Sequence, residues 1–139
     1  MIVVDTSAVW AVIIGEPESE HLLEFILERR DLAMSAATLV ELQTLCLRRL
    51  SEHEQLLATR LLQTLDITIV PFDEDQAQRA QEGMRTFGRG SGSRARLNLG
   101  DAFAYGLATQ TNSPLLCIGN DFPHTDVQLA WPATDPDTP

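Results

Sequence analysis

The amino-acid sequence predicts an α/β fold, a three-layer α/β/α sandwich whose mainly parallel central sheet of about four or five strands carries helices on both faces. Two observations support this prediction. Short apolar runs bounded by turn residues alternate along the chain with longer segments of helical periodicity. No internal repeat or linker interrupts the alternation, so the strand–helix units are expected to share one sheet.

The first part of the chain begins with the apolar run Ile2–Val4, which we interpret as a strand. A short helix over 7–14 ends at Gly15, because glycine readily adopts the left-handed conformation that closes a helix. Apolar residues at helical spacing predict a second helix over 17–30, and a short strand over 32–34 follows it.

The middle of the chain adds two more helices and a strand. Ser35 can cap a helix over 36–50, and a serine and a glutamate with capping-box spacing begin the next helix, over 51–65. Leucines repeat along one face of that helix. The β-branched run 67–70 predicts a strand, which a proline stops.

The last part of the chain starts with a helix over 73–87. The Gly/Ser/Arg-rich segment 88–96 breaks the pattern and predicts a mobile basic loop. A helix over 99–110, a strand over 115–118 and an edge strand near 127–129 complete the order. These elements are expected to close the sheet.

Composition limits the class of protein. With 139 residues, the chain is expected to form one domain over 1–131, followed by a flexible Pro-rich tail over 132–139. The net charge of −10 argues against simple electrostatic attraction to nucleic acid. All ten basic residues are arginine, so the chain contains no lysine.

Cysteine content and hydropathy indicate a soluble cytoplasmic protein. Cys46 and Cys117 stand among apolar neighbours, so we interpret both as reduced core residues, with a disulfide as the less favoured alternative. No segment approaches the roughly 20 apolar residues that cross a bilayer. The N-terminus has no basic region before its apolar stretch, which argues against a signal peptide.

Four acidic residues stand where packing or solubility does not explain them. Asp5 and Asp121 are interpreted as following buried strands, and ligands bind beyond the carboxyl ends of parallel strands. Glu41 and Asp101 can approach the same edge from the N-terminal turns of their helices, where the helix dipole is expected to lower the pKa of Asp101. Like charges gathered in one cleft repel, and a bound divalent cation relieves that repulsion.

The chemistry of these side chains favours a hard metal ion. Carboxylates offer only oxygen ligands, and the sequence places no histidine or cysteine obviously beside them to attract zinc. Mg²⁺ suits such a set, and Mn²⁺ is expected to substitute for it. A cation of this kind lowers the pKa of a water and withdraws charge from a phosphate, so the set is typical of a metal-dependent enzyme that acts on phosphate.

The chain resembles a known family, the PIN-domain ribonucleases, and within them the VapC toxins of bacterial toxin–antitoxin pairs. The resemblance covers nearly the whole chain and implies a PIN-like sandwich and a homodimeric, Mg²⁺-dependent endoribonuclease that a VapB-type antitoxin inhibits, with higher toxin–antitoxin assemblies possible. The motifs that carry it occur in order along the sequence: Val4–Ala8, Val40–Leu42, Leu97–Ala108 and Leu116–Phe122.

Carried over by position, Asp5, Glu41, Asp101 and Asp121 match the family's metal-binding acids. We expect Asp5 and Asp101 to bind the ion directly. The resemblance leaves two roles open for Glu41, as a metal ligand or as acceptor of the water's proton, and it leaves Asp121 to act through water. Thr6 and Ser7 are expected to orient Asp5 or to contact phosphate through their hydroxyls, and Asn120 and Asp126 are further supporting residues. Whether Asp126 touches metal or only supports its loop stays open.

The basic segment before the Asp101 helix offers a way to hold RNA on an acidic protein. Arg85, Arg89, Arg94 and Arg96 lie in or next to this segment. Arginine binds phosphate in a bidentate manner and stacks on unpaired bases. We therefore expect the target to be a single-stranded loop in a structured tRNA or rRNA.

Two rival functions remain open. A phosphoaspartyl phosphatase or receiver also places acids at strand ends and binds Mg²⁺, but it uses a lysine that this chain lacks. A catalytically silent PIN-fold interaction module would keep the fold without the activity. The Leu-rich helices over 17–30 and 36–65 are expected to form a dimer contact and an antitoxin groove.

Overall fold

The computed structural model describes residues 1–131, and the predicted tail over 132–139 lies outside them. Within the described residues the chain forms four strands and six α-helices, which confirms the predicted α/β class. The strands are β1 (Ile2–Val4), β2 (Leu32–Ser35), β3 (Thr68–Val70) and β4 (Leu115–Leu116). The helices are α1 (Thr6–Ile14), α2 (Ser19–Leu27), α3 (Ala36–Arg49), α4 (Glu52–Leu65), α5 (Glu74–Phe87) and α6 (Leu99–Thr111).

The sheet has the strand order β3-β2-β1-β4, and all neighbouring strands are parallel. Val3 of β1 is in register with Ala33 on one side and with Leu115 on the other. The chain therefore builds outward from β1 in one direction and then returns to its other side. The carboxyl end of β1 lies at this reversal, which is where open α/β sheets bind ligands.

Two apolar cores cover the two faces of the sheet. Val4 points into the core with Leu22 of α2 and Leu42 of α3, whereas its neighbour Val3 packs with Leu107 of α6 on the opposite face. The alternation of side chains along β1 assigns successive residues to opposite cores. Asp5 follows directly, so its carboxyl group lies at the end of a strand that is buried on both faces.

Side-chain caps fix where several helices begin. Asp5 caps α1, and Ser35 accepts a hydrogen bond from Ala37 N at 3.2 Å to cap α3. Capping boxes begin α4 and α6. The box on α6 pairs Asn98 with Asp101, so one of the candidate acids is also a cap.

The chain departs from the sequence prediction in two places. Strand β4 ends at Leu116 instead of at residue 118. Segment 127–129 is not a strand, because among the described residues only an isolated bridge joins Leu129 to Leu115. Segment 88–96 is a loop, as predicted, and its base is bridged: Arg89 N donates to Leu97 O at 3.1 Å and Leu97 N donates to Phe87 O at 2.9 Å. Ala95 and Leu97 are fully buried in the core, which anchors the base of the basic segment.

The expectation that Cys46 and Cys117 are unpaired core residues is confirmed within residues 1–131. Both cysteines are free and buried. No helix in the described part of the chain is long and apolar enough to span a membrane.

Candidate active site

A cleft of about 440 Å³ opens between α1 and α3 at the carboxyl end of β1, where the start of α6 closes one side. It contains Asp5, Glu41 and Asp101, three of the four acids that the sequence singled out. Because the junction of β1 with α1, helix α3 and helix α6 each supply one acid, the site exists only in the folded chain. The cleft is lined by Asp5, Thr6, Ser7, Trp10, Glu41, Thr44, Leu45, Arg48, Asn98 and Asp101.

Asp5 is the most buried of these acids, with 3% of its surface exposed. Its Oδ2 accepts a hydrogen bond from Ser7 N at 3.1 Å, whereas its buried Oδ1 has no hydrogen-bond partner within residues 1–131. The pKa of Asp5 is raised from 3.8 to about 7, and burial is the largest cause. The hydrogen bonds from Ser7 lower this pKa, and the charges of Asp101 and Glu41 raise it. An unpartnered buried carboxylate oxygen is costly, and a cation would satisfy it.

Glu41 lies in the second turn of α3, within the N-terminal half of the helix. Thr6 donates its hydroxyl hydrogen to Glu41 Oε1 at 2.5 Å, so the residue after Asp5 orients the second acid. The other oxygen, Oε2, packs against the backbone of Gly100 so closely that a Cβ at this position would collide with the carboxylate. The hydrogen bond from the Thr6 hydroxyl and the close contact with Gly100, which has no side chain, therefore fix the Glu41 carboxylate.

Asp101 has both a capping role and a place in the cleft. Its Oδ2 accepts from Asn98 N at 2.9 Å, and its own N–H donates to Asn98 Oδ1 at 2.9 Å. The expected lowering of its pKa by the helix dipole is wrong. Burial raises the pKa of Asp101 to about 6, and the charges of Asp121 and Glu41 add to the effect of burial against the hydrogen bond to Asn98.

Asp121 lies outside this cleft. Strand β4 ends at Leu116, so Asp121 does not follow a strand directly but begins a short 3₁₀ turn over Phe122–His124. It lines a neighbouring depression with Arg89 and Arg96. Asp121 is nevertheless close enough for its charge to raise the pKa of Asp101. The structure thus places three acids together and the fourth at the rim.

The supporting residues have different partners. Ser7 Oγ accepts a hydrogen bond from Ile118 N at 2.9 Å, which joins the start of α1 to the segment after β4. Tyr105 donates its hydroxyl hydrogen to Asp126 Oδ1 at 3.0 Å, and Asn120 is exposed.

The arginines are also divided between surfaces. Arg85 Nη1 lies 3.6 Å from Oε1 of Glu82, an exposed acid that is also on α5. Arg94 is exposed. Only Arg89 and Arg96 of the predicted set line a depression beside one of the acids.

Sequence reasoning did not select several residues that line the cleft. Trp10 lines it one turn beyond Thr6, and Thr44 and Arg48 line it along α3. Trp10 is four residues after Thr6, and Thr44 and Arg48 are three and seven residues after Glu41, so helical spacing was the available signal. Cys117 also lies nearer to the acids than expected. The pKa of its thiol is raised to about 12, first by burial and then by the charges of Asp5, Asp101 and Asp121.

The donor set fits a hard divalent cation in its chemistry, because carboxylate oxygens converge and one is buried without a partner. Among the described residues, however, no group of three or more His, Cys, Asp or Glu side chains already has the arrangement of a metal site. The hydrogen bonds to Thr6 and Asn98 hold one oxygen each of Glu41 and Asp101. Asp5, Glu41 and Asp101 are the residues of the cleft that would hold the ion.

Comparison with known proteins yields one family. The sequence model of the family described as PIN domain matches residues 2–128. Ribonuclease VapC42 of Mycobacterium tuberculosis is 43% identical to this chain over 92% of the chain and 98% of its own length.

Solved structures share the fold. The crystal structure of Mycobacterium tuberculosis VapC20, described as a toxin that cleaves the sarcin–ricin loop, has a TM-score of 0.69 at 18% identity and covers 88% of this chain and 92% of its own. The structure of VapBC2 from Rickettsia felis, bound to a DNA fragment from its promoter, has a TM-score of 0.68 at 19% identity and covers 93% and 97%. At these identities the likeness shows the fold alone.

Proposed function

The chain belongs to the PIN-domain family, in its VapC ribonuclease branch, and we propose that it is the toxin of a type II toxin–antitoxin pair and acts as a metal-dependent endoribonuclease. The observation that carries this proposal is the cleft that gathers Asp5, Glu41 and Asp101, in which one buried oxygen of Asp5 has no hydrogen-bond partner among residues 1–131. Hydrolysis of a phosphodiester brings a nucleophile to a group that is already negative. A site built from carboxylates suits that reaction only together with a cation.

The side chains divide the work of the reaction. Asp5 and Asp101 would hold Mg²⁺ through the carboxylate oxygens that Ser7 and Asn98 do not occupy. When bound, Mg²⁺ supplies positive charge to the phosphate and lowers the pKa of the attacking water, and Mn²⁺ would do the same. Glu41, oriented by Thr6, either completes the ligand set or accepts the proton of that water. Asp121 at the rim would act through water, and we leave Asn120 and Asp126 without a direct role.

The proposed substrate is a single-stranded loop of a structured RNA. Such a loop leaves its backbone open to in-line attack, and its bases can turn outward. The relative described as cleaving the sarcin–ricin loop supports a tRNA or rRNA target of this kind. Arg89 and Arg96, which line the depression beside Asp121, would hold phosphates that leave the cleft. This substrate also implies action in the cytoplasm.

The proposed protein partners are a VapB-type antitoxin and a second copy of the chain. An apolar groove between α3, α4 and β3 lies away from the acids and includes Leu39, Leu62 and Ile69. Leu47 at its edge is 69% exposed. Exposed apolar side chains of this kind mark protein contacts, which supports the Leu-rich helices as partner surfaces. An antitoxin arginine placed among the carboxylates would weaken Mn²⁺ binding, and isothermal titration with an antitoxin peptide measures that effect.

The test is cleavage of total cellular RNA by purified, antitoxin-free protein, with and without Mg²⁺ or Mn²⁺. We expect cleavage only with the cation, and a loss of about 100-fold or more in Asp5→Asn and Asp101→Asn. Asp75→Asn is the matched control, because it neutralises an exposed acid remote from the cleft. Thermal unfolding of each variant separates loss of activity from loss of structure.

Two results would reject the proposal. Cleavage that persists in a chelator would exclude the metal-dependent reaction. Absence of any RNA cleavage by the folded protein in Mg²⁺ and Mn²⁺ would favour the silent interaction module instead. Mapping of RNA 5′ ends after brief induction would identify the cleaved loop when cleavage is found.

A further inference from the structure

The cleft continues beyond the acids, between α1 and α3, to an end that the proposed reaction does not use. Glu41, Thr44 and Arg48 follow one another along the same face of α3, and Trp10 faces them from α1. Arg48 is two helical turns beyond Glu41, which is about 10 Å along the helix axis. This end is therefore close enough to contact the part of a substrate next to the reacting phosphate.

The charge of this end is opposite to that of the acids. Arg48 is exposed, and within residues 1–131 it makes no salt bridge. Among the described residues it is the only basic side chain in the cleft lining. A guanidinium two helical turns along α3 from Glu41 is suited to a second negative group on the same ligand.

Trp10 adds a flat apolar surface. It packs against the core beneath it, yet it is only partly buried and lines the cleft. Its indole is therefore held by packing on one side and accessible on the other. An aromatic ring beside a cation is the usual combination that holds unpaired nucleotides, because the ring stacks on a base and the cation binds a phosphate.

We propose that Trp10, Thr44 and Arg48 form a nucleotide subsite, in which the indole stacks on the base next to the cleaved phosphodiester and Arg48 binds the adjoining phosphate. This inference rests on the proposed ribonuclease function. The subsite lies on the α1–α3 side of the acids, whereas Arg89 and Arg96 lie on the side of Asp121. RNA would thus be held on both sides of the reacting bond. The positive charge of Arg48 would offset the repulsion between the RNA phosphates and the acids.

Intrinsic fluorescence gives a direct test, because the chain has two tryptophans. In a Trp131→Phe background, Trp10 is the remaining reporter, and phenylalanine keeps an aromatic contact with Phe25. A short unstructured RNA of mixed sequence is titrated in chelator, so that it binds without being cut. We expect saturable quenching, and a strand of the same length without bases should lose the quenching but keep an affinity that depends on Arg48.

Variants separate the subsite from general charge. Arg48→Ala should weaken RNA binding about 10-fold and lower the slope of log K against log salt by about 0.7. Arg49→Ala is the matched control, since Arg49 is exposed on the same helix and outside the cleft lining. Trp10→Leu should raise KM about 10-fold with little change in kcat, whereas Trp10→Phe should retain most of the affinity.

Three outcomes would overturn the subsite. Normal RNA binding and KM in folded Arg48→Ala and Trp10→Leu would remove it and leave the ribonuclease proposal intact. Failure of the unaltered protein to bind or cut RNA would remove both. If these variants weaken binding of an antitoxin peptide but not of RNA, this end of the cleft belongs to the antitoxin.

Discussion

Acidic residues occur both in the cleft and at the contact between α5 and α6, but their surroundings are opposite. At the α5–α6 contact, Asp75 Oδ2 accepts hydrogen bonds from Arg79 Nε at 2.9 Å and from Gln110 Nε2 at 3.1 Å. The hydrogen bond from Arg79, followed by that from Gln110, lowers the pKa of Asp75. In the cleft, burial and neighbouring acids raise the pKa of Asp5 to about 7.

The difference separates acids that stabilise the fold from acids that do not. Asp75 is matched by a cation and an amide, so its ionised form favours the folded state. Asp5 is buried with an unpartnered oxygen, so its ionised form opposes folding. Sites that keep such unfavourable groups are candidates for function, because nothing in packing explains them.

The largest expected effect concerns the stability of metal-free Asp5→Asn. Asp5 has an ordinary pKa of 3.8 and a folded-state pKa of about 7. Between these values the unfolded chain ionises while the folded chain keeps its proton, so rising pH favours unfolding. We expect Asp5→Asn to be more stable than the unaltered protein by about 4 kcal/mol above pH 7 and about equal near pH 4. Urea denaturation in chelator measures this difference.

Asp75→Asn is the comparison for that experiment. Because the pKa of Asp75 is lowered in the folded state, its contribution is present above the ordinary value of 3.8 and is lost as the pH falls through the folded-state pKa. Asp75→Asn should therefore be slightly less stable at neutral pH. Equal destabilisation by Asp5→Asn at pH 4 and pH 7 would mean that Asp5 is only a helix cap.

A pair of glycines tests the same contrast through packing. A methyl group at Gly100 would strike the Glu41 carboxylate, whereas one at Gly106 would lie 2.7 Å from the carbonyl oxygen of Gln76 on α5. We expect Gly100→Ala to lower kcat about 30-fold while the protein stays folded, because the carboxylate is displaced. Gly106→Ala should lower the unfolding temperature and leave kcat of the folded fraction unchanged. Similar kcat values for the two variants would remove Glu41 from the reaction.

Thr6 offers a smaller perturbation of the same carboxylate. Thr6→Val removes the hydroxyl that donates to Glu41 and keeps the shape of the side chain. We expect kcat to fall about 10-fold, since one charge-assisted hydrogen bond no longer orients the acid. Thr6→Ser restores a donor and should recover most of the activity. An unaltered kcat in Thr6→Val, measured at saturating RNA, would show that Glu41 is held by Gly100 packing alone.

How much the sequence predicts depends on how local each signal is. Asp5 and Asp101 are in their expected places, because a strand end and a capping box are set by adjacent residues. Asp121 is not at a strand end, since β4 stops after two residues and Gly119 turns the chain with φ 109°. That departure depends on the pairing of β4 with β1, which no local pattern records.

Contacts between distant elements were harder to predict. Ala95 and Leu97 are buried in and directly after the basic segment, but the sequence there has no apolar periodicity that would predict this burial. Trp10 and Arg48 share a cleft only because α1 and α3 pack side by side. The sequence restricts each residue to one face of its helix, and tertiary packing decides what that face meets.

The family resemblance leaves a metal contact open for Asp126, whereas in the structure Asp126 accepts a hydrogen bond from Tyr105. Variants of this pair are expected to have the smallest effect of those considered. Tyr105 donates to Asp126 Oδ1, and burial, followed by this hydrogen bond, raises the pKa of Tyr105 to about 12. We expect Tyr105→Phe to lower the free energy of unfolding by about 1 kcal/mol and to leave kcat unchanged. Asp126→Asn, which keeps an oxygen acceptor for the tyrosine, should do less to stability. A loss of kcat in Asp126→Asn with normal stability would place Asp126 with the cleft acids instead of with the acids that stabilise the fold.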